Sequence, residues 1–397
     1  MSNTWKIYFL ALVTFLVGTS EYIISGILDK ISDTMGISVT SAGQLVTIFS
    51  FVYAIGTPIL MALTAKAERK KLLVWALGIF VVGNFLSFIS PGYAPFIAAR
   101  VIMAIGAGMV VVTALDVAAK IAATGKQASA IATVVMGFTA SLIIGVPLGR
   151  IVAEQLGWKS VFGILALAGL AAMFVLYFVI PRVQGDKPIP LSKQLAFLKN
   201  RKVALGLAIT FFWLGGYSIA YTYISPYLLE VAGLQDRMLS GVLLAFGIAS
   251  LVGSKFGGFS TDKWGIFPTL SGGMFLHVTA LLLLSLTVTY THSWLPIVIL
   301  LILWSFEAWS SGPTQQYNLV RIEPNYSGIM LSLNQSMMQL SMAAGAGIGG
   351  VMVDRVSLSS VTWVGMVGVA IAILVMVFLK LRMSAGRQFA GTLNGNE

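Results

Sequence analysis

The chain has 397 residues, 57% of them hydrophobic and only 10% charged, and its mean hydropathy of +0.91 is too apolar for a water-soluble domain of that length. Its formal charge of +11 would suit nucleic acid, but no basic face is found in the sequence, and attraction to anionic lipid headgroups accounts for the basicity instead. With no cysteine, disulfides, thiolate metal sites and cysteine nucleophiles are excluded.

Twelve apolar runs are long enough to cross about 30 Å of hydrocarbon as helices. They fall near 5–28, 41–64, 72–90, 95–118, 129–153, 159–180, 203–229, 238–260, 269–290, 294–318, 326–353 and 360–380. The first is longer than a signal-peptide core and no small-residue cleavage site follows it, so it is expected to stay as an anchor. Between the sixth and seventh lies Pro181 to Lys202, PRVQGDKPIPLSKQLAFLKNRK, with six basic residues and one acid. The expected organisation is an N-terminal six-helix bundle at 1–180, a cytoplasmic linker at 181–202 and a C-terminal six-helix bundle at 203–397. With the N-terminus inside, 18 Lys and Arg fall on the inner side against five on the outer, which puts both termini and the linker in the cytoplasm. Arg100 and Lys255 are left within helices.

The halves repeat weakly. Gly149 to Glu154 in helix five matches Gly349 to Asp354 in helix eleven at an offset of 200, and Phe49 to Gly56 in helix two lines up with Phe246 to Gly253 in helix eight. Two related bundles around a cleft follow, the pattern of a transporter built from parallel repeats.

Four ionisable residues sit well inside the predicted helices: Glu21, Arg100, Glu307 and Asp116. A charge at mid-bilayer costs about 2.5 to 3.5 kcal/mol, so these side chains are expected to face the protein interior. Glu21 and Arg100 fall at similar depths, which fits either a buried structural ion pair or a proton site beside a fixed positive charge. Below Arg100, the small residues Ala104, Ala107 and Gly108 leave room for a guanidinium or for close helix packing. Glu307 has no basic partner on its own helix and reads as a site for a cationic substrate or a second proton, or as a carboxyl bonded to a neighbour.

Helix seven places Trp213, Tyr217 and Tyr221 at four-residue spacing, and helix eleven carries Gln335 and Gln339 beside Asn334 and Met338. This combination suits a cavity for a planar or amphipathic ligand, although an aromatic stripe also arises from packing alone. In helix five, Gly137, Gly145, Pro147 and Gly149 combine a kink with room for close approach, as a rocking helix or a packing device requires. His277 and His292 are isolated and lack metal-ligand spacing. No phosphate loop, nucleophile elbow or zinc-protease helix occurs, so neither ATP, nor a metal, nor any other cofactor is expected, and the protein is not expected to be an enzyme.

Gly258, Asp262, Lys263 and Gly265 form G-x-x-x-D-K-x-G after helix eight, which resembles the loop signature of the major facilitator superfamily. The equivalent first-half loop, Leu63 to Lys70, departs from that pattern, with Ala65 for the acid and Glu68 for the glycine. In the family the basic residues of this loop pair with an acid at the inner end of helix four, which implies that Arg69 reaches Asp116 in a gating contact. Arg100 with Ala104 and Gly106 looks like the family's helix-four arginine motif, and Gly145, Pro147 and Gly149 like a shortened antiporter motif. Glu21 sits where the drug:proton antiporter branch often carries an acid. With SAGQL at 41, TAKAERK at 64, MGF at 136, GVPLG at 145 and PTQQ at 313, the chain is similar to bacterial purine-base efflux pumps and sugar exporters of that branch. The resemblance implies an all-α membrane protein of twelve transmembrane helices in two pseudo-symmetric bundles. It also implies proton-coupled export of a purine-like, sugar or drug-like small molecule by alternating access.

The partners expected are thus that substrate, protons and the lipid bilayer, without nucleic acid, for a chain acting as a monomer. Glu21 and Arg100 are the expected proton-coupling pair. Glu307, Trp213, Tyr217, Tyr221, Asn334, Gln335 and Gln339 are expected at the substrate. Arg69, Asp116, Gly145, Pro147, Gly149, Gly258, Asp262, Lys263 and Gly265 are expected in gating. A symporter or uniporter of the same fold is the alternative, and a non-transporting membrane sensor a more distant one.

Overall fold

The computed structural model describes residues 3–123, 127–185, 190–291 and 293–393. Lys126, His292 and the centre of the linker at 186–189 lie outside the described residues. The first half consists of α1 (Asn3–Gly26), the short α2 (Leu28–Met35), α3 (Val39–Leu63), α4 (Arg69–Ile89), α5 (Tyr93–Ile121), α6 (Gln127–Ala140), α7 (Val146–Leu156) and α8 (Trp158–Val179). A small linker helix, α9 (Leu191–Ala196), precedes the second half. That half contains α10 (Arg201–Thr222), the single turn α11 (Ile224–Pro226), α12 (Asp236–Trp264), α13 (Ile266–Tyr290), α14 (Trp294–Ile322), α15 (Ser327–Arg355) and α16 (Ser360–Leu393). Twelve of these segments are long and apolar enough to span a membrane, with α6 and α7 counting together as one.

Sequence chemistry accounts for the ends and breaks. The Ser38 hydroxyl accepts the Ser41 amide at 3.1 Å and so starts α3. Gly36, at a left-handed φ of 61°, closes α2. Between α6 and α7, Ser141–Gly145 winds as a π-helix. Pro147 follows one residue later, and because it has no N–H to give to the Ile143 carbonyl, the regular ladder fails there and the wider turn absorbs the mismatch.

The two halves meet along two crossed seams. Helix α3 of the first half packs on α15 of the second, and α12 of the second packs on the π-turn and α7 of the first. This exchange carries out the internal repeat, since helix two meets helix eleven while helix eight meets helix five. On the second seam Gly247 lies directly on the backbone of Leu142 and Ile143. The first and last described residues and the described parts of the linker fall on one face, here the linker face; α2, α11 and the loops before α5, α8, α14 and α16 fall on the other, the far face.

Candidate functional site

Midway through the bundle α1, α3, α5 and α15 enclose a set of polar side chains. Glu21 on α1 is 3% exposed and its Oε1 accepts from Nε2 of Gln339 on α15 at 2.9 Å, a hydrogen bond that joins the two halves. Its Oε2 has no hydrogen-bond partner among the described residues. Arg100 on α5 is fully buried. One terminal nitrogen donates to the Ser20 carbonyl at 2.9 Å and to the Met103 sulfur at 3.3 Å, and the guanidinium lies 4.1 Å from the centre of the Phe49 ring. Its Nε and Nη2 are without a partner among the described residues.

Glu21 and Arg100 therefore lie close, as their matched depth implies, but they form no ion pair among the described residues: the arginine is held by the backbone beside Glu21 and the carboxylate by Gln339. This departs from the structural ion pair that depth alone allows. The reason is register, because the neighbouring Ser20 carbonyl intercepts the guanidinium. Ser20 itself donates to Oδ1 of the fully buried Asn84 at 3.1 Å, which ties α1 to α4 at the same level.

Beside this polar set stands an aromatic wall from the second half. Tyr217 and Tyr221 stack at 5.1 Å with only 15° between planes, and Tyr221 stacks in turn on Phe246 at 5.6 Å. Trp304 sits against both Tyr217 and Phe246. Tyr22, next to Glu21, meets Tyr221 edge-on at 6.5 Å and links the polar set to the wall. A cavity opens beside this wall, with Trp213, Tyr217, Trp309 and Met338 in its lining together with Thr139 of α6 and Ser254 of α12. Of the predicted stripe, Trp213 and Tyr217 line this cavity, whereas Tyr221 stands behind Tyr217.

The polar residues of α15 part company. Gln339 turns to Glu21, Gln335 approaches the Tyr53 hydroxyl of α3, and Asn334 accepts from Thr210 of α10 at 2.7 Å inside the second half. Asn334 therefore braces α10 instead of facing a ligand. Glu307, expected at the substrate, is on the opposite side of α14 from the cavity: its Oε2 accepts from Ser310 at 3.3 Å and faces Gly273 of α13, while its neighbours Ala308 and Trp309 line the cavity. Rotation of one position about a helix is about 100°, so an acid adjacent in sequence to cavity residues turns away from them. His277 accepts the Trp304 indole N–H at 2.7 Å and buttresses the wall from behind.

On the linker face Arg69 meets Asp116 at 2.6 Å, as expected, and Lys120 joins the same carboxylate at 3.2 Å. The linker is tied in beside them, with Val183 accepting the Arg69 amide at 2.8 Å and Gln184 accepting Lys120 at 3.1 Å. In the second half Gly265, at φ 89°, ends α12, Lys263 lies over the Phe259 and Trp264 rings, and Asp262 is exposed. Gly258 has open space above it. Gly145, the last residue of the π-turn, lies against Thr19 of α1 and Gly149 of α7 against Ile23, while Pro147 stands in the first turn of α7 just after the π-turn.

Sequence reasoning missed Phe49, Ser20, Asn84 and Tyr53. Only the repeat of Phe49 to Gly56 on Phe246 to Gly253 touched any of them, namely Phe49 and Tyr53. It also missed Asp29 and the role of Arg150, which it noted only within the helix-five repeat and among the outer-side charges; they are 7% and 0% exposed.

Twelve spanning helices in two crossed bundles around a part-polar, part-aromatic cavity define a membrane transporter of small molecules. The chain belongs to the Major Facilitator Superfamily, whose family model matches residues 10–346. It is 68% identical over 374 residues to YbcL of Bacillus subtilis (strain 168), an uncharacterized MFS-type transporter, covering 94% of this chain and 95% of that one. It is 23% identical to a probable sugar efflux transporter of Helicobacter acinonychis (strain Sheeba), over 93% of each chain. A crystal structure of a D-xylose-proton symporter superposes with a TM-score of 0.78 at 16% identity, over 94% of this chain and 97% of that one, a likeness of fold. The protein is thus a multi-pass membrane transporter and not an enzyme.

Proposed function

We propose that the chain is a proton-driven exporter that loads its proton on Glu21 and moves a flat, amphipathic small molecule by alternating access. The observation that carries this reading is the hydrogen bond from Gln339 of the second half to Glu21 of the first, at 2.9 Å, beside the buried Arg100. An N–H donated to an ionised carboxylate is about twice as strong as one donated to a neutral acceptor. Loading a proton on Glu21 weakens a tie between the two halves, and losing it restores the tie. Proton occupancy is thereby coupled to the motion of one half against the other.

Cargo stacks on the aromatic wall and turns its polar edge toward α1 and α15. Purine bases, sugars and drug-like aromatics remain the classes to test, sugars with the added support of the name of one relative. Glu307, turned away from the cavity, takes no part in cargo contact. The linker face is cytoplasmic, in the bacterial cell membrane, and the working unit is the single chain.

The test is Glu21→Gln, which keeps the volume and removes the titration. The variant is expected to bind cargo but to lose export against a gradient in inverted vesicles. The parent's affinity is expected to fall from about pH 8.5 to 5.5 as proton and cargo compete, while the variant's stays flat. Uphill export by Glu21→Gln, or a flat profile in the parent, removes Glu21 from coupling.

A further inference from the structure

The far face holds an ionic cluster that the transport cycle described above does not use. Arg150 of α7 is fully buried at its centre. Its Nε donates to Glu154 at 2.8 Å, and one terminal nitrogen donates to Asp29 at 2.5 Å, to the Gly26 carbonyl at 3.3 Å and to the Ser225 hydroxyl at 3.4 Å. The other terminal nitrogen pairs with Asp236. Lys30 pairs with the second oxygen of Asp236 at 2.7 Å, and Ser225 donates to Asp29 at 2.6 Å.

Four of these contacts cross between the halves, because Arg150, Asp29 and Lys30 belong to the first and Ser225 and Asp236 to the second. On the linker face, by contrast, the pairs Arg69–Asp116 and Lys120–Asp116 stay within the first half. The far-face closure is continued on the other seam, where Thr40 of α3 donates to Asp354 of α15 at 2.6 Å and to the Gly350 carbonyl at 3.0 Å.

Two more acids, Asp33 and Glu230, stand beside the cluster. Glu230, in the turn after α11, feels both Asp33 and Asp29 of the first half, and partial burial together with those two charges pushes its carboxyl above the ordinary value. Asp29, Asp33, Glu154, Glu230 and Asp236 stand against Arg150 and Lys30, with Arg237 exposed at the start of α12. Without the two bridging cations, like charges would face each other across the seam.

We propose that Arg150, with Lys30, is a two-cation latch that holds the far mouth shut, and that Asp29, Asp33 and Glu230 are the spring it holds. Attraction through Asp236 closes the mouth, and repulsion among the remaining acids opens it once that attraction is lost. The far face is therefore bistable, and the balance is set by charge at one seam. This goes beyond the proton site at Glu21 and holds whatever the cargo.

The lack of native cysteine allows the test to use the full chain in lipid nanodiscs, spin-labelled at Ala94→Cys and Thr291→Cys, exposed far-face positions of opposite halves away from the cluster. Distances between the labels report the width of the mouth. Asp236→Asn is expected to raise the long-distance population by about threefold or more, and Asp236→Glu to leave it near the parent's. Adding Glu230→Gln to Asp236→Asn is expected to return part of the population to the short distance, which a merely structural role for Asp236 does not explain. If Asp236→Asn does not purify as a monodisperse protein, Lys30→Gln removes one cross-half contact at a partly exposed position and is expected to shift the distances in the same direction. Parent-like distances in the folded Asp236→Asn protein, or in Lys30→Gln where that substitutes for it, overturn the latch.

Discussion

Arg100 shows why one residue can dominate a membrane interior. A guanidinium 0% exposed must be neutralised and hydrogen-bonded, yet among the described residues it is met by the Ser20 carbonyl, the Met103 sulfur and the Phe49 ring, with no carboxylate in an ion pair. Its charge is left to act on Glu21 without quenching it in an ion pair. Lysine keeps the charge but is a point donor that cannot reach the same carbonyl while lying flat on the ring. Arg100→Lys is therefore expected to insert normally but to lose about tenfold or more in coupled transport, consistent with about 1.5 to 3 kcal/mol for a charged hydrogen bond. Proton release from vesicles on cargo addition checks this, and parent-like coupling in Arg100→Lys would falsify a role for the planar fork. Arg100→Ala is the harsher control.

Helix pairs in this bundle approach through glycine. Gly253 of α12 lies on the backbone of Phe306 in α14, where an added Cβ would meet main chain that has no rotamer to escape into. On the same helix Gly241 has open space. Gly253→Ala is expected to destabilise by about 1 to 3 kcal/mol, as overpacking typically does, whereas Gly241→Ala is expected to be neutral or slightly stabilising. Thermal unfolding of the two purified variants in one detergent provides the comparison; equal melting temperatures would show that α12 and α14 are not in close register. The π-turn between α6 and α7 belongs to this scale too. It converts the missing N–H of Pro147 into a local widening at the point where α12 crosses, so the bend lies on the seam that must move.

Across the whole molecule the charges divide as unequally as the contacts do. Counted along the sequence, 18 Lys and Arg are assigned to the linker side of the spans and five to the far side, so the linker face is expected to lie in the cytoplasm. A chain without native cysteine makes this direct to test. In intact cells a membrane-impermeant maleimide is expected to label Ala94→Cys and to spare Ser192→Cys on the linker helix until the cells are opened. The reverse pattern would invert the topology and, with it, the direction of export.

Twelve spans and their two groups of six were legible from the sequence because hydrocarbon thickness imposes a length on every spanning helix, and composition alone records it. The pairing of Arg69 with Asp116 was legible through a loop motif. The depth of Glu21 and Arg100 was legible because each residue adds a fixed rise along a helix. What tertiary structure decided was azimuth and partner. Glu307 turned to α13, Asn334 braced α10, and Gln339 crossed to Glu21, because helix rotation is set by packing across the bundle and not by spacing within one helix. The burial of Arg150 was equally beyond the sequence. At the end of a span it reads as a loop charge, and only the meeting of α2, α7 and α12 removes it from water and surrounds it with three carboxylates.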